Sequence, residues 1–282
     1  MPKSLSQVHS PAVVAVQAVL FDLDGVLTPT ALIHRQAWRV TFEEYFAGRG
    51  IRPMYSEWDY LRHLNGKPRY QAVRDLLASR GICLPETGEG NSVADLAERK
   101  NDVFNQALDN GGIAPYPDAV SLVQALAAAQ LPMAVVSSSR NAQRVLAASG
   151  LLNCFTVVVD GVTCAERGLP GKPHPAAFLL AAEQLGCAPE KTAVVEDALA
   201  GVKAACAGGF QPVLAVDRAK TGAELLESSR GVAPTDLPIN NADSFLQHGA
   251  TAVLSDLSKA VPYLLASSQS SVIWLEAPAL AD

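Results

Sequence analysis

The sequence predicts an α/β protein: a doubly wound parallel sheet with an α-helical domain inserted after its first strand. Three observations predict it. The stretch Ala18-Val19-Leu20-Phe21-Asp22-Leu23-Asp24-Gly25 closes an apolar run with two aspartates, and a short apolar run without alternation reads as a strand buried on both faces. From Ile113 onward, short apolar runs alternate with helical patterns, the texture of a parallel sheet wrapped by helices. Between these two regions, residues 31–110 show helical spacing and no strand pattern.

Residues 1–13 read as a loose tail. The apolar run from Pro11 to Phe21 is too short to span a bilayer. It leads straight into Asp22 instead of a cleavage site, which argues against a secretory signal. Gly25 then breaks the strand and opens a loop. The inserted domain holds Tyr45, Tyr55, Tyr60 and Tyr70, with Trp38 and Trp58. Its helical spacing runs through Trp38, Phe42, Tyr45 and Phe46, then Val73, Leu76 and Leu77, then Leu96, Val103, Phe104 and Leu108. Thr28-Pro29-Thr30 and Gly111-Gly112 are the expected hinges into and out of it. The remainder, 14–30 with 111–265, forms the expected Rossmann-like core. There the helices are Asp118–Ala129, Asn141–Ser149 stopped by Gly150, Pro175–Leu185 with proline in its first turn, and Leu199–Ala207. The strands are Met133–Val136, Phe155–Val159, Thr192–Val195, Val213–Val216 and Ala252–Leu254. Glu227–Ser244 reads as a polar loop, and 266–282 as a second tail.

A chain of 282 residues fits one large domain with an insert. Hydrophobic content of 49% with 18% charged residues describes a globular enzyme and excludes a disordered chain. A net charge of −6 carries no nucleic-acid footprint, so any lysine or arginine that meets phosphate must be placed locally. Cys83, Cys154, Cys164, Cys187 and Cys206 form no Cys-x-x-Cys pair. Free thiols in a reducing, cytoplasmic compartment are the expectation, and no segment is long enough to cross a membrane.

In open α/β sheets the chemistry sits beyond the carboxyl ends of strands, where Asp22 and Asp24 fall. Two carboxylates this close repel unless they share a cation, and a hard divalent ion suits them. An aspartate beside such an ion can attack phosphorus. Ser137 ends a strand in Val135-Val136-Ser137-Ser138-Ser139-Arg140-Asn141. Its hydroxyl and the following N–H groups suit a phosphate, or equally a helix cap; Ser138 and Asn141 add donors. Lys172 is set among prolines in Gly171-Lys172-Pro173-His174-Pro175, which fix its approach. Glu196 and Asp197 are adjacent carboxylates at a buried strand end, costly without a cation.

Phe21-Asp22-Leu23-Asp24-Gly25-Val26-Leu27-Thr28, together with the Ser137, Lys172 and Glu196-Asp197 stretches, resembles the four motifs of the haloacid dehalogenase-like phosphotransferases. More narrowly it resembles their β-phosphoglucomutase branch, from about Val14 to about Asp217 and more weakly over Gly249–Leu257. The resemblance implies that Asp22 is the nucleophile and Asp24 the general acid and base, with its backbone carbonyl on the metal. It implies that Ser137 and Lys172 hold the phosphoryl group, and that Mg²⁺ is bound by Asp22, Asp24, Glu196 and Asp197. From the residues alone, Asp24 could be a further metal ligand only. In the inserted cap, Ala31-Leu32-Ile33-His34-Arg35-Gln36-Ala37-Trp38 and Gly66-Lys67-Pro68-Arg69 resemble the family's substrate-facing stretches, and Lys100 matches a lysine that contacts substrate. His34, Trp38, Gly66, Arg69 and Lys100, with Ser138 and Asn141, are therefore the expected substrate-binding set. Without the resemblance, His34, Arg69 and Lys100 read as ordinary helix-surface residues.

The implied activity converts β-glucose 1-phosphate to glucose 6-phosphate through an aspartyl-phosphate and an enzyme-bound 1,6-bisphosphate. The alternatives are a sugar-phosphate phosphatase and a catalytically idle sugar-phosphate sensor. The expected partner is a small sugar phosphate, bound by a monomer that uses neither nucleic acid nor membrane. Two features depart from the family pattern. Pro29 stands where many relatives carry aspartate, and Glu227–Ser244 has no counterpart.

Overall fold

The computed structural model describes residues 15–88, 90–218 and 242–265. Both expected tails (1–13 and 266–282) and residues 227–241 of the expected polar loop lie outside the described residues. Six strands form one sheet: β1 (Ala18–Phe21), β2 (Met133–Val136), β3 (Val157–Val159), β4 (Thr192–Glu196), β5 (Val213–Val216) and β6 (Ala252–Leu254). Their order is β3-β2-β1-β4-β5-β6 and every pairing is parallel. The chain therefore winds outward from β1 to β3, then returns to β4 on the other side of β1. That reversal opens a crevice between the loops leaving β1 and β4.

The uninterrupted apolar runs are explained by helices on both faces. Val19 and Phe21 of β1 point into one core with Ala193 and Val195 of β4. This core is closed by α5 (Pro117–Ala128) and α6 (Ala142–Ala148), with a short α11 (Val261–Leu264). Leu20 points the other way, into a core with Ala134, Val136 and Val194. That core lies under α8 (Ala176–Leu185), α9 (Leu199–Ala207) and α10 (Ala242–Gln247). A side chain such as Leu20, with no exposed surface, gains about 1.5–3 kcal/mol from this burial.

The residues between β1 and α5 form four helical elements. They are α1 (Thr30–Gly48), a single turn α2 (Glu57–Asp59) continuing as a π-helical turn (Tyr60–Leu64), α3 (Arg69–Ser79) and α4 (Val93–Gly111). Trp38, Phe42, Tyr45 and Phe46 of α1 meet Val73, Leu76 and Leu77 of α3 and Leu96 of α4 in a third core. Ser92 starts α4 with a reciprocal cap. Its hydroxyl accepts from the Asp95 N–H at 3.1 Å, and Asp95 Oδ2 accepts from the Ser92 N–H at 2.9 Å. The helix ends at Gly112 with φ +63°, a left-handed conformation that glycine adopts without strain. The two linkers meet where the Tyr116 N–H donates to Leu27 O at 3.0 Å.

Several boundaries differ from the sequence expectation. β1 begins only at Ala18. Leu152–Cys154 form a 3₁₀ turn, so β3 is three residues long. Phe155 is apolar because it is buried in the loop between them. Ala242, Asp243 and Ser244, expected in a loop, open α10, which is anchored by the fully buried Phe245. Helix α7 (Gly161–Glu166) carries little apolar patterning. It is held by the Asp160 carboxylate, which accepts from the N–H groups of Val162 at 3.1 Å and Thr163 at 2.8 Å. Among the described residues, no helix is long and apolar enough to cross a membrane.

Candidate active site

The register of β1 against β4 brings the acidic residues together. Phe21 pairs with Val195, and the Asp22 N–H donates to Val195 O at 2.9 Å. Asp22 therefore leaves β1 beside Glu196 and Asp197 as they leave β4. One carboxylate oxygen from each of the three lies within 4.8 Å of the others. Two glycines make room for them. Any side chain at Gly25, whose φ is +94°, would collide with the Asp197 carboxylate, and one at Gly201 would collide with Glu196. Glu196 Oε2 also accepts from the Ala198 N–H at 2.7 Å.

Lys172 is the counter-charge. Its Nζ is 2.5 Å from Asp22 Oδ1, 2.5 Å from Glu196 Oε1 and 3.2 Å from Val136 O. Burial pushes the Asp22 carboxyl up to about 8, with Lys172 opposing and the Glu196 and Asp24 charges adding. Burial, then Glu196 and Asp22, also push Asp197 well above the usual carboxylate range. Three carboxylates against one ammonium leave excess negative charge in a partly dry site. This all-oxygen donor set fits a hard divalent cation such as Mg²⁺.

Of the four expected metal residues, Asp24 does not bring its side chain into this cluster, which among the described residues joins Asp22, Glu196 and Asp197. Asp24 Oδ1 accepts from Thr30 Oγ1 at 2.6 Å and its Oδ2 from Ser137 Oγ at 3.2 Å. His34 Nε2 lies 3.2 Å from Oδ1. Burial raises the Asp24 carboxyl, but His34, Thr30 and Lys100 outweigh it and hold it at about 2. Two carboxylates two residues apart thus sit in opposite electrostatic environments.

The helical domain covers the site as a cap. Lys100, 4% exposed, contacts His34 Nδ1 and lies over the rings of Trp38 and Phe104. His34 is stacked on Phe104 with ring centres 4.0 Å apart. Burial drives the Lys100 ammonium down to about 7. Burial, and then the Lys100 charge, also lower the His34 imidazole. Arg69 Nη1 reaches Ala97 O and Glu98 Oε2, both at 3.3 Å. Cap and core touch where Ser138 Oγ donates to Gly66 O at 3.0 Å and Asn141 Nδ2 donates to Asn101 Oδ1 at 3.0 Å. A side chain at Gly171 would collide with Pro68 of the cap.

One cavity between cap and sheet edge is lined by every candidate residue except Ser137 and Lys172, which are buried beneath its floor. It is also lined by residues outside the expected set, among them Tyr60, Asn65, Lys67, Asn101, Ser139 and Arg140. Ser139 and Arg140 were within reach, since they continue the run from Ser137 to Asn141. Tyr60 carried no such signal, because an aromatic residue at helical spacing reads as core. It is aimed at the cavity by the π-helical turn, and its hydroxyl donates to Asn65 Oδ1 at 3.0 Å.

The model of the haloacid dehalogenase-like hydrolases matches residues 16–209. The chain is 39% identical over 255 residues to a β-phosphoglucomutase of Mycobacterium bovis, covering 86% of this chain and 91% of that one. It is 32% identical over 203 residues to hexitol phosphatase A of Escherichia coli, covering 70% and 82%. The fold is similar to that of the crystal structure of β-phosphoglucomutase from Clostridium difficile. The TM-score is 0.66 at 23% identity, covering 86% of this chain and 92% of that one. With its acidic cluster at the β1–β4 crevice and its cap inserted after β1, the chain belongs to the haloacid dehalogenase-like superfamily, in the β-phosphoglucomutase-like branch.

Proposed function

We propose that the protein is a Mg²⁺-dependent phosphotransferase that interconverts β-glucose 1-phosphate and glucose 6-phosphate through an aspartyl-phosphate on Asp22. The observation that carries this reading is the division of labour between Asp22 and Asp24. Asp22 faces Lys172 and the acidic cluster, while Asp24 faces Thr30, Ser137 and His34 of the cap side. Pairs of carboxylates in contrasting surroundings are how one site supplies both a nucleophile and an acid–base group.

Asp24, held ionised, first takes the proton from a sugar hydroxyl, which attacks the phosphoaspartate; the bond from phosphorus to Asp22 breaks and frees Asp22. In the second half an Asp22 carboxylate oxygen attacks the other phosphorus in line, the bond from that phosphorus to the sugar oxygen breaks, and Asp24 returns the proton to the leaving oxygen. Lys172 balances the charge that gathers around Asp22. Mg²⁺, held by Asp22, Glu196 and Asp197, would neutralise the phosphoryl oxygens. Arg69, Lys100, Ser138 and Asn141 would grip the phosphate and hydroxyls not undergoing transfer, so that cap closure orients the sugar and excludes water.

The 39% identity to a β-phosphoglucomutase supports the mutase over the hydrolase. A second reading, a sugar-phosphate phosphatase, is favoured by the likeness to hexitol phosphatase A and by Pro29, which starts α1 without a side-chain cap. The deciding experiment gives the protein Mg²⁺, a bisphosphate primer and a panel of sugar phosphates, scoring free phosphate and isomerised product. Glucose 6-phosphate should form from β-glucose 1-phosphate much faster than free phosphate. Phosphate released at the rate of substrate loss would establish the hydrolase. No turnover of any sugar phosphate or generic aryl phosphate would leave a sensor.

A further inference from the structure

We propose that Arg218 is a positioning residue that clamps the loop behind Asp22 and Asp24 to the point where the cap's second linker rejoins the core. Arg218 lies just beyond β5 and reaches across the sheet's carboxyl edge to the loop that follows β1. Its Nε donates to Gly25 O at 2.9 Å and its Nη2 to Val26 O at 2.9 Å. The other side of the fork meets Asp118, with Nη1 3.0 Å from Oδ2 and Nη2 3.3 Å from Oδ1. The guanidinium carbon stands 3.7 Å from the centre of the Tyr116 ring.

Each contact lies at a junction. Gly25 and Val26 directly follow Asp24, and Gly25 is the residue on which the Asp197 carboxylate rests. Asp118 is in the first turn of α5, and its Oδ2 is also fixed by the Leu257 N–H at 2.8 Å. Tyr116 ends the linker from the cap, and its N–H holds Leu27 O of the other linker. One planar side chain therefore fixes the core ends of both linkers and the loop that carries the two reactive aspartates. A cap that opens and closes needs such a fixed pivot. Without it, each swing would move Asp24 relative to Asp22, and misplacement by about 1 Å can lower a rate on the order of a hundredfold. Only arginine offers this fork; the compact ammonium of lysine cannot serve two carbonyls and a carboxylate at once.

The catalytic half of this proposal rests on the phosphoryl transfer proposed above, and the clamp itself does not. The test compares R218M and R218K with wild type in the full chain, by amide hydrogen exchange and by hydrolysis of p-nitrophenyl phosphate with Mg²⁺. In R218M the Gly25 and Tyr116 amides should exchange about tenfold faster or more, while β1 and β4 keep their protection. kcat should fall about tenfold with KM within about threefold, because the reactive loop is displaced and the phosphate is still bound. R218K should fall between R218M and wild type on both readouts. If R218M fails to fold, R218K decides alone, with losses in the same direction. Exchange within about twofold of wild type at Gly25 and Tyr116, or faster exchange with unchanged kcat, overturns the proposal. A wild type without turnover would instead remove the phosphotransferase reading, and the exchange data would then decide the clamp by themselves.

Discussion

Lys172 Nζ stands 2.5 Å from Asp22 Oδ1 at the end of β1 and 2.5 Å from Glu196 Oε1 at the end of β4. The residue thus joins the two strand ends that define the crevice. Burial pulls its ammonium down, but the two carboxylates outweigh that and hold it protonated. Its partners in turn depend on it, since burial alone would drive Asp22 toward its neutral form.

Replacing Lys172 with Met should therefore remove activity and stability together. It leaves carboxylates buried without a counter-charge, which costs about 3–5 kcal/mol for comparable buried pairs. Mg²⁺ should return part of that loss by binding the native acidic cluster. Urea unfolding with and without Mg²⁺ measures both. A loss below about 1 kcal/mol, the range of exposed pairs, would show that Lys172 is not the counter-charge of this site.

Asp197→Ala separates metal binding from folding. The variant removes one carboxylate of the cluster, so the Mg²⁺ concentration for half-maximal rate should rise by tenfold or more, on the order of a lost ligand. Stability without metal should hold or increase, because the Glu196 and Asp22 charges that push Asp197 up are no longer opposed by it. An unchanged Mg²⁺ dependence would assign Asp197 to another task.

Lys100 makes a pH prediction. In the unfolded chain it takes up its proton below 10.5, and in the fold only below about 7. Between those values the unfolded state holds more protons, so this residue's contribution to stability rises as pH climbs from 7 toward 10.5. Its penalty is fully present below 7. Lys100→Met should therefore be more stable than wild type at pH 6, by on the order of 2–5 kcal/mol. The gain should shrink steadily up to pH 10. A difference that stays constant with pH would mean that Lys100 is not desolvated in solution.

The legible parts of this molecule are those where one residue type carries one meaning. Ala18–Phe21 and Met133–Val136 are apolar on both faces because both faces are buried, and each ends in a residue of the site. Three kinds of information were hidden. Spacing cannot tell which way the Asp24 carboxylate turns; Thr30 and Ser137 hold it away from the acidic cluster. Tyr60 looked like core because a π-helical turn leaves no mark in the spacing of apolar residues. Arg218 carries no signal in the sequence, because its partners are carbonyls of Gly25 and Val26 and a carboxylate a hundred residues away. A lone arginine after a strand announces none of these.

Arg69 tests whether the cap selects the substrate. Its side chain is 12% exposed and lines the cavity while resting on Ala97 O and Glu98. A guanidinium held this way, with burial pulling its pKa below the ordinary arginine value, is poised to gain from a phosphate. A bidentate phosphate would replace a partly exposed glutamate partner. A glucose phosphate or bisphosphate can place its second polar end there, whereas a small aryl phosphate has nothing to offer. Arg69→Ala should therefore lower kcat/KM on glucose phosphates by about 2–4 kcal/mol of transition-state binding, the size of a lost buried charge-assisted pair. Hydrolysis of p-nitrophenyl phosphate should stay within a few-fold of wild type, since Asp22, Asp24 and Lys172 are untouched. Steady-state kinetics on both substrates, with one enzyme preparation and saturating Mg²⁺, make the comparison. Equal losses on the two would place Arg69 among the residues that support the fold, through Ala97 and Glu98. The distal phosphate would then have to be held by other residues, with Lys67, Lys100 and Arg140 lining the same cavity.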